Sequence, residues 1–348
     1  MSGLAIIGRP NTGKTSLFNL LTDSYEYVGN WSGVTVEKKV GHIKKLQTNL
    51  IDLPGVYDFN PISKDESVVS EFLLKERTKG IINIIDASQF ASNMQLTLQI
   101  LELKQPTVIC LNMMDVAKKS GLMIDVEKLS SILGVQVIPT IARTGNDKES
   151  LCTVLNDSLN KTSKPFRMHY SAAVEESIQQ VESLMDDISE DKRRWAAVQL
   201  LSGNQAVEDF LQSDVHFEEM LNIRANLENK LKQSLQEVFY SERKQYIDEL
   251  SQQVMTKSGE AVNRTDKIDK ILTHPVLGIP IFLFLMYVVF EITFTWVGAP
   301  LSDFLDGFIG GTLTDYTASL FTAIGASVFI LDLICDGIIG GVGVVVGF

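Results

Sequence analysis

The 348-residue sequence is short of the residues that staple or metallate small domains. Its three cysteines (Cys110, Cys152 and Cys335) lie far apart, which excludes a disulfide scaffold and any Cys-x-x-Cys metal site. The four histidines, His42, His169, His216 and His274, are equally scattered, so no zinc cluster is written in the chain. Basic residues are outnumbered by acidic ones, 31 to 43, giving a net charge of −12. A pI near 4.9 argues against nucleic acid as a partner, because binding it usually leaves a basic face. Positive charge disappears altogether at one end. Every Lys and Arg lies at or before Lys270, and Val276 to Phe348 contains no Lys, Arg or His. Mean hydropathy is nonetheless +0.10 with 21% of residues charged. That combination implies a polar soluble part joined to a strongly apolar one.

The apolar part begins with Val276 to Ala299, which carries one charged group, Glu291. At about 1.5 Å per residue a helix of that length crosses a hydrocarbon core of roughly 30 Å. Tyr287 and Trp296 suit the interfaces. The positive-inside rule places the Lys/Arg-bearing part, including Arg264, Lys267 and Lys270, in the cytoplasm. Pro300 to Tyr316 alternates apolar and acidic residues and reads as an interfacial or re-entrant segment. A second, glycine-rich apolar stretch runs from Ala323 to Phe348, broken by Asp332 and Asp336. So little membrane material encloses no pathway, so the chain reads as a fragment or as one part of a longer or split protein. It opens on a strand and a glycine-rich loop, and no secretory signal sequence is expected there.

Upstream, Leu4 to Leu159 alternates short apolar strands (LAIIG, NLIDLPG, GIINIIDA, TVICLNMMD, QVIPTIA) with helical segments, the pattern of a doubly wound α/β domain with a mostly parallel sheet. Lys164-Pro165 marks a break. Tyr170 to about Thr265 turns Glu/Gln/Lys/Leu-rich with helical spacing, as in VESLMDDI and FEEMLNIRANLENKLKQSLQEVF. The expected domains are therefore 1–163, nucleotide-binding; 164–270, all-helical; and 271–348, the start of a membrane domain.

The chemistry sits in the first 145 residues. Gly8-Arg-Pro-Asn-Thr-Gly13-Lys14-Thr15 is a full phosphate loop between a strand and the helix SLFNLL. Its glycines permit a tight turn whose N–H groups point at phosphates. Lys14 is placed for the β/γ-phosphates and the Thr15 hydroxyl for Mg²⁺. Gly8, Asn11, Thr12, Gly13, Lys14, Thr15 and Ser16 are expected to contact the nucleotide. In Asp52-Leu-Pro-Gly55, Asp52 is expected to hold Mg²⁺ through water and the Gly55 N–H to bond the γ-phosphate. Asn112-Met-Met-Asp115 supplies the base choice. A carboxylate accepts from both guanine N1–H and N2–H₂, a donor pair adenine lacks, so GTP and GDP are expected rather than ATP. Asn112 would help fix the loop, and the Ala142 N–H would bond guanine O6. Thr35, in Val28-Gly-Asn-Trp-Ser-Gly-Val-Thr35, is placed to ligate Mg²⁺ and sense the γ-phosphate. Lys14, Thr35 and Gly55 are the candidate catalytic residues. Val56 stands where many regulatory GTPases carry a water-orienting glutamine, so water must be positioned by other means.

These residues carry a resemblance. The motifs Gly8-Arg-Pro-Asn-Thr-Gly-Lys-Thr, Gly29-Asn-Trp-Ser-Gly-Val-Thr-Val-Glu, Asp52-Leu-Pro-Gly-Val-Tyr and Asn112-Met-Met-Asp resemble those of the FeoB family of bacterial ferrous iron transporters, and the likeness runs along the whole chain. The resemblance implies a GTPase tied to Fe²⁺ uptake in the bacterial cytoplasmic (inner) membrane, multi-pass, continuing through further membrane helices. It implies K⁺ on Asn11, with switch-region carbonyls near Gly29 and Trp31, supplying charge that an arginine finger supplies elsewhere. A small cytosolic accessory protein and a homo-oligomer are further implied partners. Ile141 departs from the family's usual Ser, which is expected to loosen that loop and hasten nucleotide release. Cys335 reads as a small hydrophobe rather than a metal ligand. The competing reading is a soluble-type ribosome- or RNA-associated GTPase with a hydrophobic extension. It predicts a basic RNA-binding domain, which Tyr170–Thr265 does not show. A receptor-type targeting GTPase would need a Met-rich or Arg-rich partner domain, also missing.

Overall fold

The computed structural model describes residues 3–31, 37–60, 64–142, 148–159, 166–257, 272–274 and 277–347. The chain forms two compact units, Met1–Ala261 and Val262–Phe348.

The first unit is built on a seven-stranded sheet of order β2-β3-β4-β1-β5-β6-β8. Its strands are β1 (Leu4–Gly8), β2 (Ser24–Asn30), β3 (Glu37–Ile43), β4 (Thr48–Asp52), β5 (Gly80–Asp86), β6 (Thr107–Asn112) and β8 (Gln136–Pro139). β3 pairs antiparallel with both its neighbours, and the remaining pairings are parallel. Every residue of β1, β5 and β6 is buried. That is why these strands are unbroken apolar runs: helices cover both faces of a parallel sheet. The register aligns Ile6 with Asp52, Gly8 with Ile84 and Asp86 with Asn112. The carboxyl ends of β1, β4, β5 and β6 thus open on one edge, where α/β sheets bind ligands.

One face is covered by α1 (Lys14–Leu21) and α6 (Lys148–Leu159), with Phe18 and Leu155 packed on Leu4, Ile6 and Ile82. The other is covered by α2 (Lys64–Lys75), α3 (Phe90–Leu101) and the C-terminal helices. Between the two groups, α4 (Met114–Lys119), β7 (Leu122–Ile124) and α5 (Val126–Leu133) lead into β8. The C-terminal helices are α7 (Ala172–Leu184), α8 (Glu190–Ser202), α9 (Gln205–Leu211), α10 (Phe217–Leu231) and α11 (Leu235–Val254). A single hydrophobic cluster runs from Ile7 and Ile109 through Phe59 and Leu73 to Trp195 and Phe239. The helical segment therefore shares a core with the sheet. The helical spacing over 217–239 breaks at Lys232, which takes a left-handed φ of 54° and caps α10. VESLMDDI is helical only as far as Leu184. After α11, β9 (Met255–Lys257) pairs antiparallel with β7, and the Asp125 N–H donates to the Val254 carbonyl at 2.8 Å.

In the second unit, one helix among the described residues, Gly278–Ala323, is long and apolar enough to cross a membrane. Its apolar side chains are exposed, Phe284 and Trp296 among them, so it is not the core helix of a soluble domain. Pro300–Tyr316, expected as an interfacial or re-entrant segment, is helical throughout and continues the preceding helix, with π-type turns at Glu291–Gly298 and Gly307–Leu313. A backbone in lipid has no partners except its own, which favours continued helix over a loop. Glu291 is served within the helix by the Tyr287 and Thr295 hydroxyls, at 3.3 and 2.7 Å. Gly325, at φ +75°, turns the chain back, and Gly343 packs against Ile309. Cys335 is buried there with its Sγ 4.0 Å from the Thr314 carbonyl.

Candidate nucleotide site

The loop leaving β1 is shaped by two left-handed residues, Asn11 (φ 65°) and Gly13 (φ 89°). A Cβ on Gly13 would lie 2.3 Å from Asn112 Nδ2, and one on Gly8 would lie 2.6 Å from the Ile84 carbonyl oxygen. Only glycine lets the loop pass this close. Thr12, itself buried, closes the turn through its hydroxyl, which donates to the Arg9 carbonyl at 2.8 Å. Helix α1 starts at Lys14 with no side-chain cap, so its first N–H groups are left for a ligand, and its dipole favours an anion there. Thr15 and Ser16 are exposed in that first turn, and Asn11 is exposed on the loop.

Lys14 Nζ forms an ion pair with the Asp52 carboxylate at the end of β4. Gly55 lies under the loop: a Cβ there would approach Pro10 N to 3.2 Å. Asn112 is the junction of the site. Its Nδ2 donates to the Thr12 carbonyl at 2.8 Å, and its Oδ1 accepts from the Ala142 N–H at 2.9 Å. The Ala142 N–H that the sequence assigns to guanine O6 is thus held by Asn112. Asp115 sits in the first turn of α4, which starts after a left-handed Met113 (φ 59°). Gly8, Thr12, Gly13, Lys14, Asp52, Gly55, Asn112, Asp115 and Ala142 accordingly gather around one edge of the sheet. Thr35 lies outside the described residues.

Sequence reasoning missed the groups that hold this site from behind. Asp86 Oδ1 accepts from the Ser88 N–H and hydroxyl at 2.8 and 2.7 Å. Asp58, Phe59 and Asn60, just after Gly55, are gripped by the helical segment. Asn204 Nδ2 donates to the Phe59 carbonyl at 2.5 Å, Asn60 Nδ2 donates to the Ser202 carbonyl at 3.1 Å, and Arg243 lies 3.8 Å from Asp58. The Phe59 and Trp195 rings meet edge to face at 5.5 Å. Deeper, buried Glu102 at the end of α3 accepts from the Tyr170 hydroxyl at 3.1 Å and faces Arg194. Burial pushes the Glu102 carboxyl up to about 7, against the opposing pull of Arg194 and Arg243.

The donor set suits magnesium. Thr15 and Asp52 offer hard oxygen ligands, and no cluster of three or more His, Cys, Asp or Glu side chains exists among the described residues. A sparse oxygen set of this kind matches an ion that keeps its waters and is completed by phosphates. The Asn11 side-chain oxygen and the Gly29 and Trp31 carbonyls are neutral oxygen donors of the sort potassium accepts.

A parallel sheet with this loop, this Asp-x-x-Gly and this Asn-x-x-Asp at its carboxyl edge defines a P-loop GTPase domain, here joined to a helical domain and a long apolar helix. Residues 2–155 match the family model described as ferrous iron transport protein B, and residues 170–256 match that of the FeoB cytosolic helical domain. The chain belongs to the FeoB family. The Fe(2+) transporter FeoB of Staphylococcus aureus is 46% identical over 353 residues, covering 100% of this chain and 53% of the relative. In Porphyromonas gingivalis a fusion of Fe(2+) transport protein A with Fe(2+) transporter FeoB is 33% identical, covering 99% of this chain and 42% of the relative. The crystal structure of NFeoB from S. thermophilus bound to GDP, AlF4⁻ and K⁺ superposes with a TM-score of 0.64 at 34% identity, over 72% of this chain and 100% of that one. The chain spans about half the length of the curated relatives it matches.

Proposed function

We propose that this chain binds and hydrolyses GTP, and that the cycle drives or gates Fe²⁺ uptake across the bacterial cytoplasmic membrane. The observation that carries the reading is the Asn112 bridge, which draws the phosphate loop and the Ala142 loop together beside Asp115. In this reading the loop N–H groups receive the α- and β-phosphates, and Lys14 exchanges Asp52 for β/γ-phosphate oxygens. Asp115 accepts from guanine N1–H and N2–H₂ and so rejects adenine. Guanine O6 takes the Ala142 N–H, which base binding has to release from Asn112. Gly55 and Thr35 read the γ-phosphate and reorder the switches, Tyr25–Lys39 and Gly55–Lys64, on hydrolysis. Thr15 and Thr35 would hold magnesium, with Asp52 acting through water, and the ion would supply charge compensation for the phosphates. Potassium, on Asn11 with the Gly29 and Trp31 carbonyls, supplies the charge an arginine finger supplies elsewhere.

The helical domain takes up the switch change and hands it towards the membrane segment, with the GTPase domain in the cytoplasm. The fused Fe(2+) transport protein A of the Porphyromonas gingivalis relative supports a small accessory protein as partner. The test is Fe²⁺ uptake by cells carrying the complete gene, wild type against Lys14→Ala and Asp115→Ala. Both variants are expected to lose most uptake; unchanged uptake in both would reject GTPase-dependent transport.

A further inference from the structure

Val56 cannot orient the attacking water as a glutamine would, which leaves the Gly55–Tyr57 backbone among the groups that can, and a backbone in that role must be held still. Part of the holding is visible. Val56 is fully buried in the core cluster, and its N–H donates to the Gly8 carbonyl at 3.3 Å. Phe59, further along, is buried against Trp195. Tyr57 is different: its side chain is 54% exposed and has no place in that core. What meets it is Arg9, from inside the phosphate loop. The guanidinium lies 4.8 Å from the centroid of the Tyr57 ring, and its Nη1 donates to the Ser92 hydroxyl on α3. Arg9 is thus braced at one side on a rigid helix and at the other on the switch.

We propose that Arg9 is a positioning residue for GTP hydrolysis, clamping Tyr57 so that the Gly55–Tyr57 backbone stays against the phosphate loop. The inference rests on the GTPase reading above. Nucleotide affinity comes from the loop N–H groups, Lys14 and Asp115; Arg9 belongs to that loop only through its backbone, whose carbonyl accepts from Thr12, and an alanine there keeps the backbone while removing the clamp. The clamp instead fixes where the backbone sits when the γ-phosphate is attacked, and a misplaced group costs rate more than binding. A half-exposed cation–π contact shifts an equilibrium by roughly two- to fivefold.

The experiment compares single-turnover GTP hydrolysis and binding of a fluorescent GDP analogue in the full 348-residue chain in detergent. Arg9→Ala is expected to lower the hydrolysis rate roughly fivefold, on the scale of that contact, while affinity stays within about twofold of wild type. Tyr57→Ala matches it, Tyr57→Phe restores most of the rate because the ring remains, and Arg9→Lys keeps part of it. The Arg9→Ala/Tyr57→Ala double variant is no slower than either single, since both break one contact. Three results overturn the proposal: an unchanged rate in Arg9→Ala, a loss in affinity in place of rate, or multiplying losses in the double variant. A wild-type chain that binds GDP but never hydrolyses GTP removes the GTPase reading itself, which a normal wild type with an indifferent Arg9→Ala does not.

Discussion

Replacing Asn204 with alanine removes two things at once, and their magnitudes follow from the geometry. The side chain is fully buried. Its Oδ1 caps α9 by accepting from the Ala206 and Val207 N–H groups at 3.0 and 3.4 Å. Its Nδ2 donates to the Phe59 carbonyl at 2.5 Å, to Ser70 Oγ at 3.1 Å and to Gln199 Oε1 at 3.1 Å. Loss of an N-cap costs about 1 kcal/mol. The Phe59 carbonyl would keep only a long 3.4 Å bond from Ser70, and stranding a buried acceptor costs about 1–3 kcal/mol. The sum is roughly 2–4 kcal/mol, a large part of the about 5–15 kcal/mol typical of a folded domain.

Urea unfolding of the chain in detergent, followed by tryptophan emission, reads this directly, because Trp195 packs on Phe59. Asn204→Ser separates the parts: serine keeps the cap and loses the reach to Phe59. Asn204→Ala should therefore sit about 1 kcal/mol below Asn204→Ser, and both should sit below wild type. If the alanine variant loses less than about 1 kcal/mol, or serine recovers wild-type stability, the tether carries no energy and the reasoning fails.

Three further outcomes are expected. Glu102, pushed up to about 7 from an ordinary 4.5, makes the folded chain hold a proton that the unfolded chain releases. Stability from this group is fully present below pH 4.5 and lost as pH rises through about 7; Glu102→Gln should flatten that slope in urea titrations at pH 5, 6 and 8. Gly13→Ala should abolish binding of a fluorescent GDP analogue, since the alanine would occupy a left-handed loop position and its methyl must displace the Asn112 side chain. Hydrolysis should be faster in K⁺ than in Na⁺, with Asn11→Ala losing the difference; equal rates in the two salts would remove potassium from the site.

The centre of the sheet was legible because buried parallel strands leave apolar runs such as LAIIG and TVICLN, and the phosphate loop because its glycines answer a steric demand. β2 and β3 were not, since SYEYVGN and EKKVGHI lie on the outer side of the sheet and show no clean period, and the exposure of β3 is mixed. The end of α10 at Lys232 had no glycine or proline to announce it. Asn204, Arg194 and Arg243 looked like ordinary polar residues of amphipathic helices. Their partners Phe59, Glu102 and Asp58 lie far away in sequence, and a bond that long leaves no local pattern. Arg9 occupies a position the phosphate-loop motif leaves unspecified. The alternating apolar and acidic residues of Pro300–Tyr316 suggested an interfacial or re-entrant segment, yet the helix continues through them.

The placement of these tethers decides where the GTPase domain can move. Leu53 and Val56 are buried in the shared core on one side of the switch, and Phe59 on the other. The exposed Tyr57 and half-buried Asp58 between them are held, among the described residues, by the Arg9 and Arg243 contacts and by the Asn60 N–H, which donates to Asp58 Oδ1 at 3.0 Å. Rearrangement confined to 57–58 breaks those contacts, whereas any displacement reaching Phe59 or Asn60 must also unmake the buried bond from Asn204 and the part-buried one to Ser202. In the proposed cycle the helical domain would then resist small motions of the switch and yield to ones driven by a ligand with a matching preference. A second seam lies beside the guanine motif, where β7 follows α4 and pairs with β9 at the end of α11. The segment after Gly55 and the one after Asp115 are thus fastened to the same helical segment, one at its middle and one at Val254–Lys257, so in the proposed cycle a change at either would be felt by α8 to α11.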